Sequence, residues 1–318
     1  MTNFSTPDGI IPEYDTELRK RGFGLLRQYN AIPEMKFLSQ PPGTDVENLE
    51  DYVYLDYAGS NITVYVHDSG IYLKHEQFTL PRPPSVTAGK IEWLYPIRHG
   101  LKKFQKKKGQ PTTDPTGHGT CVTSKIVGLT RGAAIGANVK MVPRINKKDD
   151  DWMLGGLEAI VKDIQKQKKA LNGHFFPVVS LSYGYIWKKD KVHAKYRSFY
   201  KQMVDLGALL VVTAGNDRRN HANVTSYPAL FAKEPDFEDS MLVVGSVDIK
   251  GRPSIFSQGG PLVKIWAPGT ISCASPRVLM NTLARKVHHL LVRPWLALQL
   301  ICFLLTESFV NQASRANW

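Results

Sequence analysis

With 318 residues, 42% apolar and 10% aromatic, the chain can build one large or two modest cores, so a soluble globular class with one principal domain is expected. Its formal net charge of +13 suits an acidic partner or surface. The densest basic run, Lys102 to Lys108, holds a single aromatic, Phe104, and so lacks the interleaved rings on which a single-strand nucleic-acid binder stacks bases; it reads as a solvated loop, and no nucleic-acid partner is expected.

In chain order, residues 1–50 are polar, with Pro-Pro-Gly at 41–43, and read as a loosely structured N-terminal arm or the remnant of a preceding propeptide. Residues 1–30 carry no apolar core behind a basic start, so no secretory signal peptide is read here and the compartment stays open. From Ile62 the pattern changes to short apolar runs separated by segments of helical length, the mark of alternating β and α units around a parallel sheet. Ile62–His67, Val139–Val142, Val178–Leu181, Leu209–Thr213 and Leu242–Val244 are near-continuously apolar, as strands buried on both faces should be. Leu154, Leu157, Val161 and Ile164 recur at helical spacing, as do Tyr196, Phe199, Met203 and Leu206 ahead of Gly207, which predicts two core-facing helices. The periodic region ends at residue 276. Residues 277–318 form a divergent C-terminal segment whose one strong feature, Trp295–Leu305, is too short to span a bilayer, so no membrane span is expected.

Three cysteines, Cys121, Cys273 and Cys302, are odd in number and match no zinc spacing, which argues against a structural metal or a dense disulfide framework.

Functional groups in an open α/β sheet collect beyond the carboxyl ends of its strands, where the loops converge. Asp68 follows the first strong strand in the string Val-Tyr-Val-His-Asp-Ser-Gly at 64–70; standing alone it would more often be a turn or helix cap. His118 lies in Asp-Pro-Thr-Gly-His-Gly-Thr at 114–120, and glycine on both sides lets the backbone bend tightly round an imidazole suited to general-base work near neutral pH. A carboxylate beside it would fix its tautomer, and Asp68 is the candidate. Asn216 closes Val-Val-Thr-Ala-Gly-Asn at 211–216, again directly after a strand. An amide there can donate to an oxyanion, although a lone Asn after Gly is more often a turn residue.

The order Asp, His, Ala-Gly-Asn resembles the subtilisin-like serine peptidases, peptidase S8, of fungal type. Further matches run over residues 60–276: Ser-Leu-Ser-Tyr-Gly at 180–184, Tyr-Pro-Ala at 227–229, Val-Val-Gly-Ser-Val-Asp at 243–248, Phe256-Ser257 and Trp-Ala-Pro-Gly at 266–269. The resemblance implies a three-layer, doubly wound α/β fold with a mostly parallel sheet and helices on both faces. It implies peptide hydrolysis through an acyl-enzyme, with Asp68 orienting His118, Asn216 helping to hold the oxyanion, and the substrate strand pairing beside Ser182, Tyr183 and Gly184. A protein or peptide substrate, a monomer and no required cofactor are expected; the compartment stays unassigned, the family resemblance being compatible with secretion, and relatives bind calcium, but no ligand set is assignable here.

The family's Gly-Thr-Ser nucleophile is not found. After Gly269 the serines are Ser272, Ser275, Ser308 and Ser314, and none follows Gly-Thr. The chain as given is therefore expected to be inactive, the alternatives being a peptide-binding pseudo-protease and, from another class, a basic nucleic-acid binder using Lys102 to Lys108. Two smaller departures complete the reading: His67 adds a second imidazole that could compete for Asp68, and Cys121, a helix turn past His118, is expected to face the sheet as an inert structural thiol.

Overall fold

The computed structural model describes residues 10–13, 24–84, 86–97, 113–144, 150–186, 190–269 and 273–274. The Lys102 to Lys108 run, Trp295–Leu305 and Cys302 lie outside them.

Seven strands form one wholly parallel sheet: β4 (Ile62–Asp68), β5 (Ile91–Trp93), β6 (Asn138–Pro143), β7 (Phe176–Leu181), β8 (Leu209–Thr213), β9 (Met241–Val247) and β10 (Val263–Pro268), in the order β10-β9-β8-β7-β4-β6-β5. All seven residues of β4 are buried, as its central position requires. The five apolar runs of the sequence are β4, β6, β7, β8 and β9. The edge strands β5 and β10 escaped that reading because they are half-exposed and interrupted by charge, as in Ile-Glu-Trp and Val-Lys-Ile.

Successive side chains along a strand point to opposite faces, and helices cover both. On one face α4 (Asp150–Ala170) and α5 (Asp190–Asp205) bury Leu157, Ile160, Ile164, Tyr196, Tyr200 and Met203 against Tyr65, Val179 and Val212. Helix α5 stops where Gly207 adopts φ +78°, a left-handed turn that glycine enters without a steric penalty. On the other face lie the single-turn α2 (Glu76–Thr79) and α3 (His118–Val127), and α3 buries Val122, Ile126 and Val127 against Val64, Val66 and Val178. Each such fully buried aliphatic contributes roughly 1.5–3 kcal/mol. Among the described residues no helix is long and apolar enough to cross a membrane.

The N-terminal segment departs from its reading as a loose arm. Strands β1 (Ile10–Glu13), β2 (Leu25–Gln28) and β3 (Tyr52–Leu55) form an antiparallel sheet that carries α1 (Pro33–Leu38). Leu26, Met35, Tyr52 and Tyr54 make a small core with Ala133 and Ile135, beyond α3. Two buried polar ties add register: Gln28 Nε2 donates to the Thr130 carbonyl at 3.0 Å, and Lys125 Nζ on α3 meets Glu34 Oε1 on α1 at 2.9 Å. The apolar positions here are too few per strand to rise above a polar composition, so only packing against the main domain reveals them.

Candidate active site

Parallel order brings the carboxyl ends of β4, β7 and β8, which are neighbours, to one edge of the sheet. Asp68 ends β4, Ser182, Tyr183 and Gly184 follow β7, and Asn216 follows β8. A helix start supplies the fourth group. His118 opens α3, with Gly117 before it at φ +78°, and a Cβ on Gly119 would lie 2.1 Å from the Gly70 carbonyl oxygen. Only glycine lets the two loops approach that closely, and the approach sets the imidazole over Asp68.

His118 Nδ1 lies 2.6 Å from Asp68 Oδ1. A carboxylate accepts, so Nδ1 carries the hydrogen and Nε2 is left as the basic nitrogen. Asp68 is almost wholly buried, whereas the His118 side chain keeps 24% of its surface exposed, so the pair joins an interior anchor to an open ring. Burial opposes ionisation of Asp68, but the His118 ring and its hydrogen bond, the Arg144 guanidinium and the Ser69 N–H together hold its carboxyl below the usual carboxylate range. The Ser69 N–H donates to Asp68 Oδ1 at 2.6 Å, and Asp68 Oδ2 is buried without a hydrogen-bond partner.

Asp114 organises the loop that delivers His118. Its Oδ1 accepts from Ser69 Oγ at 2.7 Å and from the Gly117 N–H at 3.0 Å. Its Oδ2 accepts from the N–H and the hydroxyl of Thr120, both at 2.7 Å. The Gly119 N–H in turn donates to Ser69 Oγ at 3.0 Å. One buried carboxylate thus ties the Asp68 turn to the first turn of α3. Sequence reasoning quoted Asp114 within the motif but gave it no task; the signal was a carboxylate four residues ahead of a helix whose Gly117 start offers no side-chain cap.

Asn216 follows Gly215, which adopts φ +105°. Gln258 secures the loop beyond it, its Nε2 donating to the carbonyls of His221 and Asn223 and to Thr225 Oγ1. Asn216 Oδ1 is buried without a partner. Along the expected substrate edge Tyr183 turns inward and Gly184 is exposed. Tyr185 then bridges antiparallel to Tyr227. The serines Ser272, Ser275, Ser308 and Ser314 all lie outside the described residues. Among the described residues no cluster of three or more His, Cys, Asp or Glu side chains could hold a metal ion.

His67 does not compete for Asp68. Being one residue earlier on β4 it points to the opposite face, where its Nδ1 lies 2.9 Å from the Tyr183 hydroxyl. Its Nε2 is buried without a partner, and a Cβ on Gly156 of α4 would come within 2.5 Å of it. Burial, reinforced by Arg144 and opposed by Asp68, pushes its pKa down to about 3, so this imidazole is neutral. Cys121 is buried as expected but is no free thiol: it forms a disulfide with Cys273, 152 residues on. The Ala274 N–H also donates to Ser124 Oγ at 3.2 Å, so the chain leaving β10 is fastened along the helix that carries His118.

A profile of the Subtilase family, Peptidase_S8, matches residues 59–289, past Arg277 where the motif resemblance ends. The chain is 30% identical over 221 residues to Subtilisin-like protease 2 of Pseudogymnoascus destructans, covering 69% of this chain and 45% of that protein. It is 30% identical over 268 residues to Subtilisin-like protease 1 of Arthroderma otae, covering 83% and 47%. It thus spans about half the length of the curated relatives it matches. Among solved structures, a cold-adapted subtilisin-like serine proteinase superposes with a TM-score of 0.60 at 20% identity, covering 89% of this chain and 86% of the other, a likeness of fold. With the family profile spanning most of the chain and the parallel sheet matching in architecture, the protein belongs to the subtilase family.

Proposed function

We propose that this protein carries the peptide-binding and general-base half of a serine endopeptidase, and that the chain as given binds peptides without turning them over. The hydrogen bond between His118 and Asp68, at the carboxyl edge of the sheet and two strands from Asn216, carries the reading. In this scheme a peptide lies along Ser182–Gly184, held by main-chain hydrogen bonds. Asp68 keeps His118 in the tautomer whose Nε2 takes a proton from a nucleophile, and the Asn216 amide donates to the developing oxyanion. Within residues 270–318 no serine follows Gly-Thr, so this stretch does not supply the family's nucleophile, and binding is the part of the reaction that the residues present support. The relatives are fungal subtilisin-like proteases, and a disulfide suits an oxidising compartment; both support secretion.

The test pairs fluorescence anisotropy of labelled peptides with hydrolysis of a quenched peptide library. Saturable binding with no turnover is expected. Turnover abolished by a serine-directed phosphonate would mean that one of the four downstream serines attacks, overturning the serine-less reading. Absence of both binding and turnover would overturn the cleft itself.

A further inference from the structure

Arg144 is the first residue after β6, and the family motifs leave it without a role. Its N–H donates to the Asp68 carbonyl at 2.6 Å, which starts the side chain beside the catalytic carboxylate. The guanidinium then crosses toward the proposed substrate edge. It lies 4.6 Å from the centre of the Tyr183 ring, and its Nη1 donates to the Tyr185 hydroxyl at 3.2 Å. Tyr183 belongs to the proposed substrate edge and Tyr185 follows it. The residue is half-buried, and its Nε is buried without a hydrogen-bond partner.

A guanidinium offers five donors and stays charged. Among the described residues one nitrogen, Nη1, is matched by a neutral phenol, the buried Nε has no acceptor, and the ring face of Tyr183 takes the stacking. The acidic group that acts on Arg144 is Asp68, and Asp68 is already engaged by His118 at 2.6 Å. Among the described residues a fixed positive charge therefore stands beside the proposed substrate edge with no carboxylate but the one that His118 already engages. The excess charge of +13 over the whole chain works in the same direction, drawing acidic ligands toward the surface.

From this geometry we infer that Arg144 is a specificity-determining residue that selects peptides carrying a carboxylate side chain where the bound strand passes Tyr185. The inference rests on the peptide-binding reading of Ser182–Gly184. An incoming Asp or Glu accepts charge-assisted hydrogen bonds from the guanidinium N–H groups that Tyr185 does not take, and these are stronger than the neutral bond that Tyr185 supplies. Glutamine, of the same shape, does not bring the charge.

The experiment uses labelled peptides of one neutral scaffold in which a single Glu, or a single Gln, is moved along the sequence, with affinity read by fluorescence anisotropy on the chain as it stands. One register is expected to prefer Glu over Gln by on the order of tenfold, with the preference shrinking as salt is added. Arg144→Gln is expected to abolish the preference, so that Glu and Gln peptides bind alike whatever their common affinity, and Arg144→Lys to keep part of it. Circular dichroism checks that each variant folds, and the Glu-against-Gln comparison on the native chain needs no variant. Equal affinity for Glu and Gln at every register, or a preference that survives Arg144→Gln, overturns the inference and leaves the cleft reading standing. Failure of every peptide to bind overturns both.

Discussion

The neutral imidazole of His67 makes the stability of the fold depend on pH in a way that can be worked out and checked. In the folded chain His67 is fully buried between Tyr183 and Gly156, and its pKa falls from 6.5 to about 3. As pH drops below the ordinary value the unfolded chain takes up a proton that the folded chain refuses, so stability is lost on acidification from about pH 6.5 and the loss is complete near pH 3. Between pH about 7.5 and about 5 the linkage comes to about 2 kcal/mol, and over the whole interval to about 5 kcal/mol. The assay is urea unfolding followed by tryptophan fluorescence at those two pH values, for the native chain and for His67→Leu. The variant loses the Tyr183 contact and some packing at every pH, but its stability should fall by about 2 kcal/mol less than that of the native chain across the interval. His75, whose pKa burial also lowers, contributes equally to both proteins and cancels. Equal losses in the two would refute the reasoning, because they would mean that the imidazole is solvated or charged in the fold.

Three further outcomes follow from the same contacts. Reducing the Cys121–Cys273 bridge, which closes a separation of 152 residues, should lower stability by about 5 kcal/mol on the chain-entropy account; denaturation with and without a dithiol measures it, and Cys121→Ala should remove the effect of the reductant. Asp114→Ala strips the acceptor from Ser69, Gly117 and Thr120 and should cost about 2–4 kcal/mol, with a shift of the His118 ring signals in NMR spectra that a remote destabilising change would not give. Lys125→Met takes the ammonium away from the buried Glu34 carboxylate and should cost about 3–5 kcal/mol, whereas Lys125→Met combined with Glu34→Leu should recover most of it; limited proteolysis within residues 24–58 would follow the same order.

The sequence alone determined the parallel sheet, the two core-facing helices and three of the groups at its edge. Strands buried on both faces write uninterrupted apolar runs, and helices write a period of 3.6. His118 was legible because glycines flank it, Asp68 because it ends a strand and Asn216 because it follows one, the place where an α/β sheet gathers its ligands. What tertiary structure decided is what joins residues far apart in the chain. Arg144 comes beside Asp68 only because β6 lies beside β4. Cys273 finds Cys121 only because β10 exits beside α3, and Glu34 meets Lys125 across 91 positions. The face that His67 takes followed in principle from the alternation along β4, but its consequence, a neutral imidazole, required the Tyr183 hydroxyl and the gap that Gly156 leaves. Local periodicity reports which side of an element is buried; it carries no information about which buried side meets which, and that pairing sets the charge, the covalent tie and the walls of the site.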